Sequence, residues 1–249
     1  MITDCYDDKT RPIISLADFY GERRRILDVC LIIFSREIHD HLLANHECAQ
    51  IGELTSCNGN TPIYKLTHGG RDIAFYMSGI GSAVASSECY EVHWQTGATK
   101  FVMFGSAGSL DRAATDGKFI IPSASYRGEG SSYYFAPPSD YITVKNAPRL
   151  AALFDEMGVP YVTGRVWTTD SMIRETVGLV EARRAEGCIA VEMELAGVQA
   201  VCDFYGMELY DFLEAGDVLD VSGYEVEGLN AANHNLGKLY IALNIATKI

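Results

Sequence analysis

Apolar positions fall into short runs separated by amphipathic stretches, and the two alternate with little interruption from Ile26 to the C-terminus. Strand-like runs at 27–34, 62–68, 72–78, 100–105, 117–126, 160–168, 188–193 and 207–215 are interleaved with helical periodicity at 36–48, 81–96, 148–157, 175–186, 194–206 and 231–247. Strands separated by helices predict parallel pairing with crossover helices, whereas 62–68 and 72–78, flanking Gly69-Gly70-Arg71, predict a hairpin. The expected class is therefore α/β with a mixed sheet. No Pro/Gly/Ser-rich linker, repeat or low-complexity tract divides the pattern, so a single domain over 1–249 is expected, with 1–25 as an N-terminal extension.

Composition narrows the class of partner. The 249 residues are 48% hydrophobic and 21% charged, with a net charge of −13. The basic residues are scattered apart from Arg23-Arg24-Arg25, which argues against a nucleic-acid backbone or an anionic membrane and for a small molecule. The apolar run Val29–Phe34 is far shorter than the ~20 residues of a membrane helix. The N-terminus has neither a basic start nor an apolar signal core, and the 7 cysteines include no CxxC pair; together these predict a cytoplasmic protein with reduced thiols. His39 and His41 sit two apart on a helix, poorly placed to share an ion, so no metal is expected.

Candidate chemistry gathers where strands end. Ser78-Gly79-Ile80-Gly81, Gly105-Ser106-Ala107-Gly108 and Glu214-Ala215-Gly216-Asp217 each follow an apolar strand, and in open α/β sheets the ligand crevice lies beyond the carboxyl ends of strands. Gly105 and Ser106 offer backbone donors and a hydroxyl without bulk, a nest for phosphate or a sugar edge, or else a plain tight turn. AVEMELAG (190–197) delivers Glu192 and Glu194 around Met193 at the start of a helix; one glutamate there would suit the helix dipole, but two call for a further role. Asp217, carried past Gly216, would have a raised pKa if partly desolvated, and as a turn residue would not. Trp167 ends a strand beside Thr168-Thr169-Asp170, where it would either stack on a planar ligand or pack in the core. RGEGSSYYFAPPSDY (127–141) is long enough to be a flap or an ordered surface loop.

The order of these pieces is more specific than any one of them. SGIG (78–81), FGSAGSL (104–110), VWTTDSM (166–172), VEMELAG (191–197) and EAGD (214–217) together resemble the nucleoside phosphorylase family that includes purine nucleoside phosphorylase and uridine phosphorylase, over about residues 27–245. The resemblance implies a single α/β domain around a barrel-like mixed sheet flanked by helices, and cleavage of the bond between base and ribose in purine salvage or related nucleoside metabolism. It implies that Glu194 binds ribose hydroxyls and Met193 packs on the sugar. Glu192 belongs to the same turn, Asp217 protonates or hydrogen-bonds the departing base, Trp167 stacks on that base, and Gly105 and Ser106 bind phosphate. No cofactor is implied beyond phosphate as co-substrate, and a homo-oligomer (dimer, trimer or hexamer) is expected.

The sequence also departs from that pattern. The region after the first strand reads Ile33-Phe34-Ser35-Arg36-Glu37-Ile38 instead of a glycine-rich loop with an arginine, Met103 stands where a second phosphate arginine is expected, and CNGNTP (57–62) offers no third. Arg36, Arg127 or Arg71 would have to replace them. Phosphorolysis of a ribonucleoside, purine in preference to uridine because of Asp217, is the first expectation. Hydrolysis by water and binding without turnover are the alternatives.

Overall fold

Closing five strands into a ring fixes where every other element goes. The computed structural model describes residues 1–249, which begin with 28 mostly exposed residues holding α1 (Ala17–Tyr20). There follow β1 (Val29–Ile33), α2 (Arg36–Asn45), β2 (Ala49–Ser56), β3 (Gly59–His68), β4 (Arg71–Met77) and α3 (Ser82–Thr96). The middle of the chain supplies β5 (Lys100–Ser109), α4 (Arg112–Thr115), β6 (Phe119–Gly128), β7 (Tyr141–Thr143), α5 (Ala147–Met157) and β8 (Tyr161–Thr169). The last third holds α6 (Val177–Ala185), β9 (Cys188–Glu192), α7 (Leu195–Tyr205), β10 (Glu208–Asp220), β11 (Gly223–Glu225), α8 (Leu229–Asn233) and α9 (Leu236–Lys248).

In the ring, β10 pairs with β6, β6 with β8, β8 with β9, β9 with β5, and β5 with β10 again. The sheet continues outward from β5 through β1, β4, β3 and β2. This is the mixed, barrel-like single domain the sequence predicts. Closure leaves the ring strands themselves without free edges, while the sheet still ends at β2 and β11. β1 and β5 are buried on both faces between helices, which explains their unbroken apolar runs. The main core joins Leu31, Phe101, Phe104, Phe212 and Leu243 among 47 buried residues.

Several local rules explain the framework. Gly69 and Gly70 take φ of 56° and 78°, the left-handed pair that a two-residue hairpin turn requires, and β3 pairs with β4 as predicted. The edge strand β2 has no apolar alternation and was not legible as a strand; its burial is mostly partial or nil. The helix expected over 231–247 is in fact two. Asn235, in an extended conformation, accepts from the Gly237 N–H at 2.8 Å and so starts α9 afresh, while its amide donates to both Glu214 oxygens at 2.9 Å. The break leaves Asn233, the last residue of α8, and His234, the first of the short linker, over the ring.

Because Asn235 both caps α9 and ties it to β10, Asn235→Ala should lower the unfolding free energy by roughly 1–2 kcal/mol. Urea unfolding checks this; an unchanged midpoint would show that the cap is dispensable.

Candidate active site

At one end of the ring a cavity of about 800 Å³ opens, large enough for a nucleoside-sized ligand. The carboxyl ends of β1, β5 and β10 reach it, together with the β9–α7 turn, residues 172–177 and the α8–α9 linker. Glu192, Met193, Glu194, Gly105, Ser106 and Asp217 all line it.

The β9–α7 turn is built around Glu192. Its Oε2 accepts from the N–H groups of Glu194 and Leu195, each at 2.7 Å, and its Oε1 accepts from the Thr168 hydroxyl. Two otherwise orphaned amides of α7 are thereby satisfied. Glu192 is 6% exposed, and burial, reinforced by the neighbouring Glu194, pushes its pKa up to about 8. With both oxygens engaged, Glu192 shapes the turn rather than offering a free acceptor to a sugar.

Glu194 is the acceptor that remains. One oxygen takes the Gly81 N–H at 2.6 Å, and burial, opposed by the backbone N–H groups of Gly81 and Met193, raises the pKa to about 6. Gly81 adopts φ of 98°, and Ser82 donates to the carbonyl oxygens of Met193 and Glu194 at 3.1 and 3.2 Å. A Cβ on Gly197 would lie 2.8 Å from the Ser82 side chain, so this glycine lets α3 meet α7 closely. Gly81 and Gly197 thus hold the start of α3 against the turn that carries Glu194.

Asp217 reaches the cavity through an irregularity in β10. Ala215 pairs with Ala107 but Asp217 pairs with Gly108, so Gly216 is the extra residue of a bulge. A Cβ on Gly216 would meet Ala232 at 3.0 Å and the Leu229 backbone at 3.1 Å, so α8 packs closely against this bulge. Burial raises the Asp217 pKa, opposed by a hydrogen bond from Tyr224. Glu175 lies close by, pushed up to about 7 by burial and then by Asp217.

Four expected residues lie elsewhere. Trp167 is 4% exposed and packs in a separate core cluster with Leu110, Val180, Val191 and Leu219; it does not line the cavity, but Val191 and Leu219 in front of it do. Arg127 is buried under the 127–141 connection. It donates to Ser132 Oγ at 2.8 Å and to the Pro137 carbonyl oxygen at 2.6 Å, and lies over the Tyr133 ring, so this segment is an ordered loop built on its arginine and not a flap. Arg36 is exposed at the start of α2 and does not line the cavity. Arg71 clamps Asp28 and the Ala246 and Ile249 carbonyl oxygens.

Other lining residues were not foreseen. Asp211 is fully buried with neither oxygen hydrogen-bonded, and burial together with Glu192 and Glu194 drives its pKa well upward, so it is held as a neutral acid. Lys238 is 1% exposed; its ammonium donates to the Gly105 carbonyl oxygen at 3.1 Å and to that of Ala232, with Glu214 at 3.7 Å. Burial brings its pKa down to about 8. The Ser106 hydroxyl donates to Asn233 Oδ1, and His234 Nδ1 lies 2.8 Å from Ser35 Oγ.

A profile of the Phosphorylase superfamily matches residues 30–218. The DeoD-type purine nucleoside phosphorylase of Caldanaerobacter subterraneus subsp. tengcongensis is 26% identical over 220 residues, covering 85% of this chain and 90% of that protein. The same type from Alkaliphilus metalliredigens is 26% identical over 215 residues, covering 84% and 88%. The fold is shared with solved structures of uridine phosphorylase from Vibrio fischeri (TM-score 0.73, 17% identity, covering 90% of this chain and 93% of that one) and 5'-methylthioadenosine/S-adenosyl homocysteine nucleosidase from Campylobacter jejuni (0.72, 16%, covering 90% and 100%). No helix here is long and apolar enough to cross a membrane.

The buried carboxyl groups make stability depend on pH. Glu192 binds its proton more tightly folded than unfolded, so its contribution is fully present below about pH 4.5 and lost as pH rises through about 8. Unfolding free energy should therefore fall between pH 5 and 8, and Glu192→Gln, which keeps the cap's shape, should flatten that slope. An identical slope in the variant would contradict the assignment.

Proposed function

We propose, from the premise that this chain belongs to the Phosphorylase superfamily, that it cleaves the N-glycosidic bond of a purine ribonucleoside, with water as the preferred nucleophile. Breaking that bond places positive charge on the sugar and negative charge on the departing base. Three groups around one cavity answer these needs. An oxygen of Glu194 accepts from the ribose hydroxyls beside Met193, and Asp217, its pKa raised by burial, gives its proton to a base nitrogen. The ends of β1 and β5 leave room for the nucleophile below the anomeric carbon.

The observation that carries the choice of water is the state of Lys238. It is the one lysine along the cavity, which no arginine lines, and its ammonium is already engaged by Gly105, Ala232 and Glu214. Glu175, Glu192, Glu194, Asp211 and Asp217 all have pKa values raised by burial, so a phosphate dianion among them would demand further proton uptake. Water brings no such charge. Phosphorolysis, the first expectation from sequence, is the second reading: Lys238 stands beneath Gly105, and exchanging its carbonyl contacts for phosphate oxygens would supply one cation. We also expect a cytoplasmic homo-oligomer, because Ile80, Met172 and Ile173 at the cavity are 59%, 54% and 86% exposed.

Incubation with inosine, adenosine, guanosine and uridine, with and without phosphate, should give free ribose from a purine nucleoside at a rate independent of phosphate. Ribose 1-phosphate would establish the second reading, and binding without either product would rule out both. Asp217→Asn should lower kcat by about 10²–10⁴-fold while changing nucleoside affinity little, the scale of a lost general acid; unchanged turnover would remove Asp217 from the reaction.

A further inference from the structure

Ser35, His234 and Glu37 form a connected row at the nucleophile side of the cavity. Ser35 caps α2 by accepting from the Ile38 N–H at 3.2 Å, and its hydroxyl oxygen lies 2.8 Å from His234 Nδ1. Nε2 of the same ring faces Glu37 Oε1 at 3.8 Å. Ser35 is 6% exposed, and both Ser35 and His234 line the cavity. Ile33 pairs with Phe104 on parallel neighbours, so Ser35 and Ser106, each two residues further on, end at the same level. The consecutive residues Asn233, at the end of α8, and His234 engage those two serines in turn.

We infer that Ser35 and His234 are the base that activates the attacking water, with Glu37 as the counter-charge. The inference rests on the hydrolytic reading above. Water hydrogen-bonds to Ser35 Oγ; as its oxygen bonds to the anomeric carbon, its proton passes to Ser35 while the Ser35 proton passes to His234 Nδ1. The carbon–nitrogen bond breaks, its electron pair leaves with the base, and Asp217 protonates that base. The products are ribose, free base, an Asp217 carboxylate and an imidazolium beside Glu37; net transfer of one proton from His234 to Asp217 through solvent restores the site. Nothing else in the row needs an imidazole: Ser35 already caps α2 through its oxygen, and the linker is held by Asn235.

Steady-state kinetics on the full chain with its best purine nucleoside tests this. His234→Gln, which can hold the Ser35 contact but cannot take a proton at neutral pH, should lower kcat by 10²–10⁴-fold with KM within threefold. Ser35→Ala should fall comparably, Glu37→Gln by less than tenfold because Glu37 is largely exposed, and added imidazole should recover part of the rate in His234→Ala but not in His234→Gln. Nucleoside affinity by calorimetry shows whether each variant keeps a folded site. Full turnover in His234→Gln while the wild type still releases ribose would overturn the relay and leave the hydrolytic reading intact. Ribose 1-phosphate as the sole wild-type product would overturn both.

Discussion

Two amide hydrogen bonds to one oxygen hold the site together: those from Glu194 and Leu195 to Glu192. They stop β9 and begin α7 within two residues, and that abrupt change of direction sends Glu194 into the cavity. The Thr168 hydroxyl, bonded to the other Glu192 oxygen and to Ser125 at 2.6 Å, locks the same turn to β8 and β6. A carboxyl buried this deeply is costly unless fully hydrogen-bonded, and this one is. Closure of the ring then brings β10 beside β5, and the bulge at Gly216 turns Asp217 toward the space Glu194 faces.

The cavity has an unusual electrical character for a place meant to hold an anion. Burial raises the pKa of Glu175, Glu192, Glu194, Asp211 and Asp217, and the single lysine is spent on backbone oxygens. The site takes up protons in place of countercharges. An acid for the leaving base therefore comes readily, whereas a dianionic nucleophile does not. The end of α8 and the residue after it fit the same logic, because they bring Asn233 and His234 to the strand ends where arginines were expected.

Most of the ring was legible in the sequence, since its strands are short apolar runs bounded by glycine or polar residues, and VEMELAG and EAGD marked the two carboxyl groups that share the cavity. What local patterns could not supply was long-range convergence. Lys238 meets Gly105 across 133 positions and His234 meets Ser35 across 199, distances over which periodicity carries no information. Asn235 was the signal that could have divided the last helix, as a good cap inside an apparently continuous pattern. Trp167 was ambiguous for a physical reason: a strand end beside a polar run looks alike whether its ring faces ligand or core, and Gly128, where a Cβ would lie 2.3 Å from the indole nitrogen, records how tightly the core holds it. Asp211 gave no sign at all within its apolar strand.

The central claim is that one nucleoside spans Glu194 and Asp217. A crystal structure with a non-hydrolysable purine C-nucleoside tests it most directly. The account predicts the vicinal ribose hydroxyls within hydrogen-bonding distance of a Glu194 oxygen, and an imidazole-ring nitrogen of the base within that distance of Asp217. A ligand seated with its base away from Asp217, or bound outside this cavity, would contradict it.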